Sequence, residues 1–103
     1  MSYTIPPEKR AAFIEVCEMF NGGDGKTQCR RVLEILRRGY MLNTFEASRH
    51  LDVYHCPARV LQLRGEGHNI MTHWVTVTTE AGRPHRVGNY ALVREAFDSG
   101  SAP

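Results

Sequence analysis

The chain has 103 residues, 42% of them hydrophobic and 23% charged, with a formal net charge of +2. That supports one modest core but not two, and the apolar content excludes a disordered chain. No apolar run approaches the ~20 residues a membrane helix needs. The opening MSYTIPPEKR lacks a signal pattern, so a cytoplasmic location is expected. Cys17, Cys29 and Cys56 have no close spacing, which favours reduced thiols over a disulfide framework.

Pro6 and Pro7 suit a first helical turn, where a missing N–H costs nothing. From Glu8 to Phe20, Phe13, Val16, Cys17 and Phe20 recur at helical spacing and form one apolar stripe. Asn21-Gly22-Gly23-Asp24-Gly25 should end that helix with residues that tolerate positive φ. Residues 1–25 therefore read as a helix plus a Gly-rich joint, ahead of a domain at 26–95 and a disordered tail at 96–103.

The next helix is expected to begin near Lys26 or Thr27. Cys29, Val32, Leu33 and Leu36 line its inner side, with Arg30, Arg31, Glu34, Arg37 and Arg38 outside. Gly39 supplies the stop. Asn43 followed by Glu46 predicts a capping box for a short helix ending near Leu51, with Leu42 and Ala47 as its hydrophobic staple. After the turn Asp52-Val53-Tyr54-His55, a further helix runs from Cys56 with Pro57 in its first turn. Its inner face is Cys56, Val60, Leu63 and Gly67, and its outer face is His55, Arg59, Gln62 and Glu66. Asn69–Thr78 and Arg86–Val93 read as two strands of a hairpin around the loop Thr79–His85, with Trp74 expected in the core.

Charge is segregated along the chain. Residues 1–25 carry net −2, residues 26–64 net +5, and residues 65–103 net −1. A compact helical unit at +5 is the footprint of a surface that meets phosphates, although a charged run also serves as a solvated face.

The string Leu42-Asn43-Thr44-Phe45-Glu46-Ala47-Ser48-Arg49-His50-Leu51, then Ala58–Arg64, Gly67–Ile70, Trp74 and Tyr90, resembles a family of small helix-turn-helix domains common in bacterial prophages. In that family a T-x-E-A helix precedes an A-R-I-x-x-L-R-x-x-G-H-x-I helix and a short hairpin. The resemblance covers about residues 26–93 and leaves the first helix outside it. It implies an α+β winged helix-turn-helix fold, a three-helix core plus a C-terminal β-hairpin wing, with an extra N-terminal helix and a phage-related gene. Gly65, inside the expected last helix, departs from good helix chemistry by about 1 kcal/mol relative to Ala.

Carried onto this chain, the docking geometry of the motif assigns Arg59 and Gln62 to base edges, guanine and adenine respectively. His55 would donate to a base or a phosphate. Thr44 and Arg49 would contact phosphates from the first helix of the motif, and Arg83 and Arg86 would grip the DNA from the wing. Arg64 completes the set, with pairing to Glu66 or another acid as its alternative. The expected function is a sequence-specific double-stranded DNA-binding protein, a phage or prophage transcriptional regulator. The rival is a winged-helix protein–protein interaction module.

Other chemistries lack support. Gly22–Thr27 ends in Gly-Lys-Thr, but Phe20 stands where a phosphate loop needs its first glycine. His50, His55, Cys56, His68, His73 and His85 show no metal-ligand spacing, so neither metal nor cofactor is expected. No nucleophile sits in a recognisable motif, and an enzyme is not expected. A homodimer through Phe13, Val16 and Phe20 would set two recognition helices roughly 34 Å apart, one DNA turn. The alternative is that this stripe folds back onto its own domain.

Overall fold

A computed structural model describes residues 5–96, so the expected tail lies, apart from Ala96, outside the described residues. Its elements are α1 (Pro7–Met19), α2 (Gly25–Arg37), β1 (Leu42–Asn43), α3 (Thr44–His50), α4 (Cys56–Gly65), β2 (Asn69–Thr78) and β3 (Pro84–Arg94). Four helices and a three-stranded antiparallel sheet in the order β1-β3-β2 make an α+β winged helix-turn-helix layout. The sequence pattern does not reveal β1. Two residues are too few for a periodic signal, yet Leu42 pairs with Tyr90 and Asn43 with Asn89.

Local chemistry sets the helix ends. Asn43 caps α3 by accepting from the Glu46 N–H at 2.8 Å, and the Glu46 carboxylate accepts from the Asn43 N–H at 3.0 Å. Leu42 and Ala47, the expected staple, are both fully buried. Helices α2 and α4 end alike. Tyr40 N–H reaches Ile35 O and Gly39 N–H reaches Leu36 O; His68 N–H reaches Leu63 O and Gly67 N–H reaches Arg64 O. This pairing is the Schellman arrangement, and it requires the positive φ seen at Gly39 and Gly67. Helix α4 consequently stops at Gly65, two residues earlier than expected, which leaves that glycine at the helix end. None of the glycines at 22, 23 and 25 adopts positive φ; the other such residues among those described are Gly82 and Asp52. Asp52 (φ 56) turns the chain between α3 and α4, while Val53 beside it is fully buried and anchors the turn.

One core joins all the elements. Val32, Ile35 and Leu36 of α2 meet Val60 and Leu63 of α4, with Ile70 and Tyr90 closing the sheet side. Ile35 is fully buried although the apolar stripe of α2 did not include it, whereas Leu33 is half-buried. The stripe of α1 folds back against α2 and α3. Phe13 and Val16 are 1% and 0% exposed and Phe20 is half-buried against the core, so the three residues expected at a dimer interface are spent largely inside the protomer.

Two buried cations hold α1 in place. Lys9 Nζ donates to both Glu46 oxygens, at 3.1 and 2.9 Å, linking α1 to the capping box of α3. Arg31 was expected on the solvent side of α2 but is only 5% exposed. Its guanidinium donates to three carbonyls: Phe20 O at 2.8 Å, Leu51 O at 3.2 Å and Gly22 O. These oxygens sit where α1 and α3 run out of helical partners, and one planar donor fork satisfies all three.

Candidate nucleic-acid interface

Helix α3, the turn at residues 51–55 and helix α4 form the helix-turn-helix. Buried Cys56, Val60 and Leu63 hold α4 to the core along the expected face. Burial alone pushes the Cys56 thiol up to about 12, which makes it a packing residue.

On the opposite face His55 is exposed at the start of α4, and Arg59 and Gln62 are brought together. Arg59 Nη1 donates to Gln62 Oε1 at 2.7 Å, and Cys29 Sγ donates to the same oxygen at 3.3 Å. The Arg59 guanidinium lies against the start of α2, so close that a Cβ on Gly25 would sit 2.4 Å from Nη1. To reach a base edge, the Arg59 head must leave Gln62 and swing outward. Two large apolar side chains are exposed here as well: Leu61 of α4 at 68%, and Tyr54, just before the helix, at 67%.

The remaining expected contacts divide into separate groups. Thr44, half-buried at the start of α3, hydrogen-bonds the Tyr90 phenol, whose pKa is raised chiefly by burial. Arg49 is exposed but forms an ion pair with Glu80 of the hairpin loop. Next to that pair, Phe45 meets His85 edge-on at 5.8 Å, so α3 and the wing tip touch at two points. Arg64 is committed to the fold: Nε and Nη2 donate to Ile70 O at 3.0 and 2.8 Å, and Nη2 also to Thr72 Oγ1 at 2.8 Å. Arg83 is exposed in the tip turn, and Arg86 lies 5.3 Å from the centroid of the Trp74 ring.

Trp74 is not in the core. It is 60% exposed: α3 meets the outer hairpin from the other side, where Val75, Val77 and Val87 are half-buried, and leaves the Trp74 face open. The charge pattern also changes on folding. Of the eight basic side chains in residues 26–64, Arg31 is buried, and Arg37, Arg38 and Arg49 pair with Glu34, Glu95, Glu15 and Glu80. Three of those acids come from outside the segment. Among the described residues Lys26, Arg30, Arg59 and Arg64 make no salt bridge; Lys26 and Arg30, on α2, are exposed. Proximity in space, not in sequence, would have been needed to single them out.

Among the described residues no group of three His, Cys, Asp or Glu could hold a metal ion, and no helix is long and apolar enough to cross a membrane. A protein-family model described as a winged helix-turn-helix domain matches residues 27–95. No curated protein and no solved structure matches the chain. With two thirds of its length inside that match, the chain belongs to the winged helix-turn-helix family.

Proposed function

From the premise of a winged helix-turn-helix domain, we propose that the chain binds double-stranded DNA sequence-specifically and acts as a cytoplasmic transcriptional regulator. The family match over residues 27–95 carries this reading. Support comes from an exposed α4 presented by a capped α3 and a tight turn, the arrangement that lays a helix in the major groove. Arg59 and Gln62 read base edges once their mutual hydrogen bond opens, and His55 contacts the backbone or a base at the start of α4. Thr44 and Arg49 hold phosphates, with Lys26 and Arg30 adding charge alongside. Arg83 and Arg86 act from the wing, and Arg64 holds the wing to α4. The phage or prophage setting rests on the resemblance of the Thr44–Ile70 string alone. The division into an N-terminal unit at 1–25 and a winged domain at 26–95 is part of the same reading. Any homodimer would use exposed Ile14 and Met19 of α1 rather than Phe13, Val16 and Phe20.

The test is a fluorescence-anisotropy titration against random duplex at two salt concentrations. Four to six phosphate contacts per protomer give a log–log salt slope of about −4 to −5. A flat slope, or no binding at low salt, removes the DNA reading. One observation favours a second reading, the protein–protein module: Leu61 on α4 and Tyr54 just before it are each more than 60% exposed. Leu61→Asp separates the two, since it abolishes a protein contact, whereas in a groove it costs only an apolar contact and a like-charge repulsion with phosphate.

A further inference from the structure

The strand register sorts the hairpin into two faces. Thr72, Trp74 and Thr76 lie opposite Tyr90, Gly88 and Arg86, and these six residues share one face. At its base this face packs into the core through Tyr90; further out it leaves the helices and exposes Trp74 and Arg86. Gly88, opposite Trp74, has no side chain to cover the indole, and a Cβ there would lie 2.9 Å from the Tyr90 ring. The Arg86 guanidinium sits over the indole at 5.3 Å and holds its orientation. Arg64 is anchored to Thr72 on the same face. One large aromatic therefore shares this face with two threonines and two guanidiniums, and the six residues include no carboxylate.

We propose that Trp74 is a DNA wedge: the outer hairpin face enters the minor groove and the indole inserts against a base step, with Arg86 meeting a flanking phosphate and the Arg64 charge behind it. The proposal rests on the DNA-binding reading and extends it to a residue that helix-turn-helix geometry does not assign. The lack of acid on the face and the paired cations fit a polyanion better than an apolar protein surface. A solitary aromatic suits insertion at a single step of a duplex; a single strand would call for several stacking rings. Insertion partly unstacks the step, so binding should favour sites with a flexible TA or CA step at the wing position.

Trp74 is the only tryptophan in the chain, so its emission reports on this contact alone. The intact chain is titrated with an end-labelled duplex while label anisotropy and Trp74 emission are followed together. Quenching of the indole in step with the anisotropy rise is expected. Trp74→Ala should weaken binding roughly 5- to 100-fold, the range for losing an aromatic–base contact, with much of it restored in Trp74→Phe. Because the side chain is exposed, thermal unfolding of both variants should match the parent, which separates a lost contact from a lost fold. Binding with unchanged emission overturns the wedge and leaves the DNA reading standing, as does an alanine variant equal to the parent. Absence of any anisotropy change overturns both.

Discussion

Replacing Arg31 with Met tests the largest departure from the amphipathic pattern. The substitution keeps a long, flexible side chain and deletes three hydrogen bonds, to Phe20 O, Gly22 O and Leu51 O. A bond to a charged donor contributes about 1.5–3 kcal/mol net, and a buried acceptor left unpaired costs about 1–3 kcal/mol. Phe20 and Gly22 are half-buried, so water can take over their carbonyls at a fraction of that cost. Leu51 is fully buried and its carbonyl bears the full penalty. Relief of the buried guanidinium's desolvation offsets part of the loss. The balance is about 2–4 kcal/mol, a large share of the roughly 5–15 kcal/mol stability of a chain this size. Urea denaturation should show a lower midpoint at unchanged slope. Arg31→Lys should fall between the two, since one ammonium cannot span three carbonyls. A loss below about 1 kcal/mol in Arg31→Met would show a solvated surface arginine and refute the clamp.

Lys9→Met should cost about 3 kcal/mol in the same assay, because it removes the cation that balances the buried Glu46 carboxylate; an unchanged midpoint would place that pair in water. Alkylation followed by mass spectrometry should reach Cys56 last. Its thiol is held near 12 by burial while Cys17 is only partly covered, and early labelling of Cys56 would contradict the packing of α4. His50 stacks on Phe13 at 5.3 Å, and its pKa is lowered, first by burial and then by Arg49. The folded state therefore prefers neutral imidazole. Its contribution is complete above about 6.5, the unfolded value, and is lost as pH falls through the lower folded pKa. His50→Phe should flatten the acid side of the stability profile, and an unaltered profile would remove His50 as the cause.

Much of the fold is legible in short stretches of the chain. The Asn43–Glu46 capping box, the stop at Gly39, the inner face of α4 from Cys56 to Leu63 and the two long strands are all decided by partners within a few residues. Their signals survive in one dimension because hydrogen bonds and periodicity at that range depend only on local backbone geometry. Tertiary structure decided the rest, through contacts between residues far apart in sequence. Arg37 meets Glu95 and Arg38 meets Glu15, 58 and 23 residues away, so counting charge by segment overstates the positive surface. Arg31 and Lys9 look like solvated cations until the ends of α1 and α3 supply carbonyls and a carboxylate. Trp74 looks like core until folding leaves its face of the outer hairpin uncovered. Burial of a charge and exposure of an aromatic both depend on what packs opposite, and that is known only once the chain has folded.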